Sequence, residues 1–231
     1  MASVKRLARC CRRACLTAWF DDVRLYDYFR SSASYRVRIA LNIKGVEYEQ
    51  IPVNLLEGAQ RSAGYRAINA QSLVPALEVG GEVLTQSLAI CEYLEETIPS
   101  PPLLPSDPLD RARVRSMAQI IACDVHPIAN LRVLNRLREE LGVDETDVRA
   151  WICHWIGQGF SAIEARLDAG DRFACGNAIT LADVCLVPQH FNAVRFEVPL
   201  DAYPRLCGVV DRCLQEPAFA DAQPAHQRQV G

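Results

Sequence analysis

Residues 29–41 read Phe29-Arg30-Ser31-Ser32-Ala33-Ser34-Tyr35-Arg36-Val37-Arg38-Ile39-Ala40-Leu41. Residues 23–28, just before them, alternate in polarity as a half-buried strand does, and apolar residues then recur at helical spacing. A helix therefore begins at the serines, where unpaired N–H groups and a partial positive charge favour a bound anion such as a thiolate or carboxylate. The alternative is that Ser31 and Ser32 only cap the helix.

Composition excludes several classes of function. The chain has 231 residues, half of them hydrophobic, and a net charge of −3, so it offers no general attraction to nucleic acid. No apolar run is long enough for a membrane span. The ten cysteines form no C-x-x-C pair and the four histidines lack ligand spacing, so we expect free thiols in a reducing cytoplasm and no metal site.

Residues 1–21 differ from the rest of the chain, because they are basic and contain no acid before Asp21. This pattern predicts a disordered N-terminal extension. An organelle transit peptide or an upstream start codon would give a similar pattern, so both alternatives stay open.

The remaining chain divides into an α/β part and an all-α part. Residues 22–100 alternate between strands and helices and contain a hairpin signal at Gly80-Gly81, which predicts a mixed four-stranded sheet with helices. Five prolines over 99–108 predict a connector. Residues 109–224 carry only helical patterns, which we place at 109–140, 145–168, 180–195 and 203–215.

One local motif is predicted to be purely structural. Thr180-Leu181-Ala182-Asp183 resembles a capping box, in which Thr180 caps a buried helix and Asp183 reaches back to its backbone. We expect its loss to damage folding before it affects any chemistry.

Several motifs together resemble the zeta class of the cytosolic glutathione transferases over about residues 23–222. They are Ser31–Arg38, Val74-Pro75, Gln86–Ile90, His126-Pro127, Asn130–Leu134, Leu186–Gln189 and Asn192–Phe196. The resemblance implies a thioredoxin-like domain followed by a helical substrate domain. It also implies glutathione as cofactor, a homodimer, and a small dicarboxylate substrate.

The resemblance implies the following glutathione contacts. Ser31, or failing that Ser32, would donate a hydrogen bond to the thiolate. The backbone of Val74, before a cis Pro75, would bind the cysteinyl part, and an ordinary loop proline is the alternative. The remaining cofactor-binding candidates are Gln60 for the glycyl end, Gln86 and Ser87 for the γ-glutamyl carboxylate, and His126 and Asn130 at the cleft.

Arginines would hold the dicarboxylate substrate. Arg30, beside the serines, is expected to act in catalysis and binding, and Arg132 and Arg195 would complete the clamp from the helical domain. Arg36 would either join them or pair with an acid on its own helix. His126, Asn130 and Arg132 are predicted to share one helix, on which a plain surface role is the alternative.

A hydroxyl donor is needed on energetic grounds. Lowering a thiol pKa from about 8.5 to near neutrality requires about 2.7 kcal/mol. A helix dipole contributes only about 0.3–1 kcal/mol, whereas a hydrogen bond to a charged group contributes about 1.5–3 kcal/mol. Tyr26 and Tyr28 are weaker candidates than the serines because they belong to the strand.

The implied activity is glutathione-dependent cis–trans isomerisation of maleylacetoacetate to fumarylacetoacetate by reversible thiolate addition. Ala33 stands where eukaryotic members of the class carry cysteine, so a protein thiol has no role at that position. Three alternatives remain. They are isomerisation of maleylpyruvate, conjugation or dehalogenation of small electrophiles, and a non-catalytic interaction module.

Overall fold

The computed structural model describes residues 22–227, so the predicted extension over residues 1–21 lies outside the described range. The described residues form two compact units. The first comprises 22–94 together with 224–227, and the second comprises 95–223. The proline-rich segment 99–108 falls in the second unit.

The first unit is built around a mixed four-stranded sheet, as predicted. Its elements are β1 (Arg24–Asp27), α1 (Ser32–Lys44), β2 (Glu49–Pro52), a 3₁₀ turn (Ala59–Arg61), α2 (Ala63–Ile68), β3 (Ala76–Val79), β4 (Glu82–Thr85), α3 (Ser87–Thr97) and a second 3₁₀ turn (Pro224–His226). The last three residues of α3 belong to the second unit. The strand order is β2-β1-β3-β4. β1 runs parallel to β2 and antiparallel to β3, and β3 pairs antiparallel with β4.

Local sequence explains the sharp turns of this unit. Gly80 and Gly81 have φ angles of 58° and 82°, the left-handed values that a two-residue hairpin turn requires. Gly45 ends α1 with a φ of 65°, and its N–H bonds back to the carbonyl groups of the last helical turn. The predicted hairpin and the predicted strand–helix order are both confirmed.

Helix α1 is more deeply buried than its sequence pattern indicates. The pattern predicts one inward apolar face, but Arg36 and Arg38 are also buried, at 1% and 0% exposure. Nη1 of Arg38 donates to both carboxylate oxygens of Asp27, at 2.9 and 2.8 Å, and Nη2 donates to the carbonyl of Phe29. The Gln50 amide also donates to Asp27. This ion pair ties the end of β1 to α1.

The second unit is helical. Its elements are α4 (Pro108–Gln119), a π-helical turn (Ile120–Val125), a 3₁₀ turn (Pro127–Ala129), α5 (Leu131–Glu139), α6 (Glu145–Glu164), α7 (Leu181–Arg195), α8 (Pro204–Leu214) and α9 (Pro217–Ala220). No helix within residues 22–227 combines the length and apolar character that a membrane span needs.

The prediction of one helix over 109–140 is wrong. The chain passes through the π-helical and 3₁₀ turns, and Asn130 then caps α5 by accepting the N–H of Val133 at 3.2 Å. Pro127 explains the break, because proline lacks the N–H that an uninterrupted helix would use.

The predicted capping box is confirmed at the start of α7. One carboxylate oxygen of Asp183 accepts the N–H and the hydroxyl of Thr180, at 2.8 and 2.9 Å. The other accepts the N–H of Ala174 at 2.7 Å. Burial raises the pKa of the Asp183 carboxyl, and these hydrogen bonds oppose the rise.

Candidate active site

Three segments that carry predicted site residues of the first unit meet at one end of the sheet. Tyr26 of β1 pairs with Ala76 of β3, and Ala76 pairs with Thr85 of β4. The turn after β1, the turn before β3 and the turn after β4 therefore lie at the same end of the sheet. Those turns carry Ser31, Val74-Pro75 and Gln86-Ser87.

Ser31 is the N-cap of α1 and is half-buried. Its Oγ accepts the N–H of Ser34 at 3.2 Å, so the capping role is confirmed. That bond occupies a lone pair and leaves the hydroxyl proton of Ser31 available for an anion. Ser32 is only 2% exposed, so Ser31 is the more accessible of the two hydroxyls.

Arg30 presents a positioned cation beside Ser31. Its Nη2 donates to the phenolic oxygen of Tyr28 at 2.9 Å, and its guanidinium lies 5.0 Å from the centre of the Phe29 ring. Within the described part of the chain, the buried Nε of Arg30 has no hydrogen-bond partner. Such a group can bind a carboxylate with little loss of side-chain freedom.

The hydroxyls of Tyr26 in β1 and of Tyr28, one residue after β1, both form hydrogen bonds to other side chains. Tyr26 donates to the carboxylate of Glu78 at 2.9 Å, and burial together with this bond raises the pKa of Tyr26. The phenolic oxygen of Tyr28 accepts the bond from Arg30. The bond to Glu78 uses the Tyr26 proton, in agreement with the expectation for that residue. Tyr28 only accepts in its bond, so the preference for the serines over Tyr28 stays a prediction.

The peptide bond between Val74 and Pro75 is cis, as predicted. Two side chains that the sequence analysis missed hold the preceding residue, since Tyr65 and Asn69 both donate to the carbonyl of Leu73, at 2.7 and 2.8 Å. The side-chain Oδ1 of Asn69 in turn accepts the N–H of Gln71 at 3.0 Å, a turn geometry typical of asparagine. An asparagine five residues before Val74 was the signal available in the sequence.

Gln86 and Ser87 form the start of α3. Gln86 is exposed, has a φ of 70°, and donates from its side-chain amide to Gln71 at 2.8 Å. Ser87 is 6% exposed, and its Oγ accepts a hydrogen bond from Nη1 of Arg36 at 3.2 Å. The N-terminus of α3 can therefore offer a hydroxyl and free N–H groups to a carboxylate.

Arg36 makes a contact that neither of its predicted roles describes. A guanidinium that is 1% exposed does not fit direct contact with a substrate carboxylate. The alternative of an acid on its own helix is wrong, because α1 contains no acidic residue. Its bond to Ser87 instead connects α1 with α3.

Gln60 supplies an unsatisfied acceptor. It is 7% exposed, and its Oε1 has no hydrogen-bond partner among the described residues. A buried acceptor without a partner costs about 1–3 kcal/mol, and a ligand N–H would satisfy it. That Gln60 contacts the glycyl end of glutathione stays a prediction.

The candidate residues of the second unit do not share one helix. His126 is half-buried between the π-helical and 3₁₀ turns, Asn130 caps α5, and Arg132 lies exposed on α5. Arg195 is exposed at the end of α7, with its guanidinium 4.9 Å from the Phe196 ring centre. That these four side chains contact glutathione or substrate stays a prediction.

Two family models match this architecture. Residues 21–96 match the N-terminal domain of glutathione S-transferase, and residues 156–217 match its C-terminal domain. The chain belongs to the glutathione S-transferase family. The thioredoxin-like first domain, the helical second domain and the use of glutathione follow from this membership.

This glutathione S-transferase is similar to curated relatives over almost their whole length. A maleylacetoacetate isomerase of Pseudomonas aeruginosa is 53% identical, covering 89% of this chain and 97% of the relative. A maleylpyruvate isomerase of a Ralstonia species is 47% identical, covering 89% of this chain and 98% of the relative.

Solved structures agree with the sequence relatives. A holo maleylpyruvate isomerase, described as a bacterial zeta-class glutathione S-transferase, is 46% identical with a TM-score of 0.88, covering 90% of this chain and all of the other. A maleylacetoacetate isomerase of Methylobacterium extorquens AM1, with malonate and glutathione bound, is 41% identical with a TM-score of 0.86, covering 89% and 98%. The predicted resemblance to the zeta class is confirmed.

Proposed function

We propose that this glutathione S-transferase is an isomerase that converts maleylacetoacetate into fumarylacetoacetate with glutathione as its cofactor. The carrying observation is the half-buried Ser31 hydroxyl at the N-terminus of α1, whose proton stays available beside the positioned Arg30. Relatives named as maleylacetoacetate isomerases, at 53% and 49% identity, support the same conclusion.

Each group of the first unit has a defined task in this proposal. Ser31 donates to the thiolate sulfur, and the N-terminus of α1 adds its partial positive charge. The backbone of Val74 binds the cysteinyl part, while Gln86 and Ser87 hold the γ-glutamyl carboxylate. Arg30 attracts the substrate carboxylate towards the sulfur. When bound, glutathione supplies a thiolate that adds reversibly to a conjugated double bond.

The test is ultraviolet-monitored isomerisation of maleylacetoacetate by the purified protein, with and without glutathione. We expect turnover only when glutathione is present, with none of it consumed. Conjugation of a model electrophile without any isomerisation would instead identify a transferase of small electrophiles, and the proposal would fail.

A second candidate substrate is maleylpyruvate. It is favoured by the Ralstonia relative and by the zeta-class structure, both named as maleylpyruvate isomerases. The two substrates share a maleyl end and differ only beyond it. A comparison of kcat/KM for the two compounds decides between them, and a higher value for maleylpyruvate would reverse our assignment.

Replacing Arg195 tests the proposed substrate clamp. We expect Arg195→Met to raise KM for the dicarboxylate about 10-fold, because a hydrogen bond to a charged group contributes about 1.5–3 kcal/mol. Arg172→Met is the matched control, since Arg172 is also exposed and its guanidinium lies 5.1 Å from the ring centre of the next residue, Phe173. An unchanged KM in Arg195→Met, measured by steady-state kinetics, would exclude this residue from the clamp.

The proposal also places the enzyme in the cytoplasm as a homodimer, which the resemblance to the zeta class implies. Light scattering of the purified protein measures the mass directly. A mass near 25.7 kDa, that of one chain, would contradict the dimer.

A further inference from the structure

We propose that Arg36 is a positioning residue that makes Ser87 selective for the γ-glutamyl carboxylate of glutathione. This inference rests on the proposed glutathione site and assigns a role to a buried residue. Arg36 is 1% exposed and is the fifth residue of α1, a helix that is buried along most of its length.

The geometry determines how the Ser87 hydroxyl forms its hydrogen bonds. Nη1 of Arg36 lies 3.2 Å from Oγ of Ser87, and both residues are buried. A guanidinium carries only donors, so the oxygen of Ser87 must be the acceptor in this bond. The hydroxyl proton of Ser87 must then point to another acceptor.

A carboxylate is the acceptor that suits this position. Ser87 is the first residue of α3, an eleven-residue helix, so the N–H groups of the first turn and the helix dipole favour an anion beside it. The charge of Arg36 polarises the Ser87 O–H bond and strengthens its donation, since linked hydrogen bonds reinforce one another at low dielectric constant. Arg36 therefore acts on the anion through Ser87.

Arg38 shows that burial in α1 does not by itself imply this role. Its guanidinium is equally buried but donates to the carboxylate of Asp27 and the carbonyl of Phe29, which belong to the fold. The bond from Arg36 instead ends on a side chain at a helix N-terminus.

The test measures binding without turnover, by calorimetry with two ligands. One is glutathione and the other is 4-aminobutanoyl-cysteinylglycine, which lacks only the γ-glutamyl α-carboxylate. We expect Arg36→Met to weaken glutathione binding about 10-fold and to leave binding of the analogue unchanged, because the analogue has no carboxylate for Ser87. Equal weakening of both ligands, or no weakening of either, would overturn the inference.

Two further variants separate positioning from general damage. Ser87→Ala should show the same selective loss, and adding Arg36→Met to it should cause no further loss, because both act through one bond. Arg36→Lys keeps a charge and a donor, so it should recover part of the selectivity, and it carries the test if Arg36→Met does not fold. Additive losses in the double variant, or equal weakening of both ligands by Arg36→Lys, would contradict the proposal.

These outcomes are independent of the isomerase assay. If the wild-type protein isomerises maleylacetoacetate but Arg36 variants lose no selectivity, the positioning role alone fails. If selective glutathione binding depends on Arg36 but no isomerisation occurs, the proposed function alone fails.

Discussion

Ser31→Ala should lower kcat at neutral pH about 10- to 100-fold while changing glutathione affinity far less. The hydrogen bond to a thiolate contributes about 1.5–3 kcal/mol, and it exists only when the thiol is ionised. Ser31 is the half-buried hydroxyl at the cap of α1, and its oxygen accepts the N–H of Ser34, so its proton can be donated to the thiolate. The measurement is steady-state isomerisation alongside calorimetric glutathione binding.

The capping role of Ser31 requires its own control. Replacing a capping serine by alanine costs about 0.5–2 kcal/mol of stability, whereas glycine costs only a few tenths. Ser31→Gly should therefore keep the helix start but lose the same activity, and Ser31→Thr should recover much of it. If Ser31→Gly retained full activity, the loss in Ser31→Ala would be a capping effect and the thiolate assignment would be wrong.

The pH dependence of activity provides a second test of the Ser31→Ala variant. Without the hydroxyl donor, the pKa of the bound thiol should rise towards its ordinary value of about 8.5. Activity of Ser31→Ala should then increase as the pH rises through that value, and the gap to the wild-type protein should narrow. A constant ratio across the pH range would contradict a role in thiolate formation.

Much of the first unit could be predicted because short-range chemistry specifies it. Serine at a helix start, Gly80-Gly81 between two alternating segments, and proline after Val74 each determine local backbone geometry. Ser31, Val74 and Ser87 were grouped only through the resemblance to the zeta class. The strand register shows why they come together, because it brings their segments to one end of the sheet.

Long-range contacts could not be predicted in the same way. Arginine is rarely buried unless it is paired, and the partners of Arg36 and Arg38 are 51 and 11 residues away. Nothing in α1 itself marks these two arginines as interior. Likewise, Asn69 holds the segment before Val74 through the backbone carbonyl of Leu73, and the presence of an asparagine does not by itself identify that partner.

The break near Pro127 was predictable in principle, because proline inside a helical pattern ends the helix at the preceding residue. Periodicity on both sides of it favoured one long helix over 109–140. Because of this break, Asn130 is the N-cap of a new helix and not an interior residue of one long helix. A residue type that favours a helix start can therefore mark a helix boundary even where the apolar periodicity continues across it.

Asp183→Ala should lower the stability of the second unit by about 3–5 kcal/mol. The substitution removes the acceptor of three strong buried donors, namely the N–H and hydroxyl of Thr180 and the N–H of Ala174. It also removes the acceptor of the weaker Cys213 thiol, 3.8 Å away. Each buried donor left without a partner costs about 1–3 kcal/mol, and the three costs are not fully additive. The expected fall in Tm is on the order of 10 °C, measured by circular dichroism.

Asp144→Ala is the matched control for this prediction. Asp144 also caps a helix, since it accepts the N–H of Asp147 at 2.9 Å, but it is exposed. Its loss should cost only about 1 kcal/mol, because water can replace the missing acceptor. The difference between the two variants measures what burial adds to a helix cap. Similar losses of stability in both would show that Asp183 contributes no more than an ordinary surface cap.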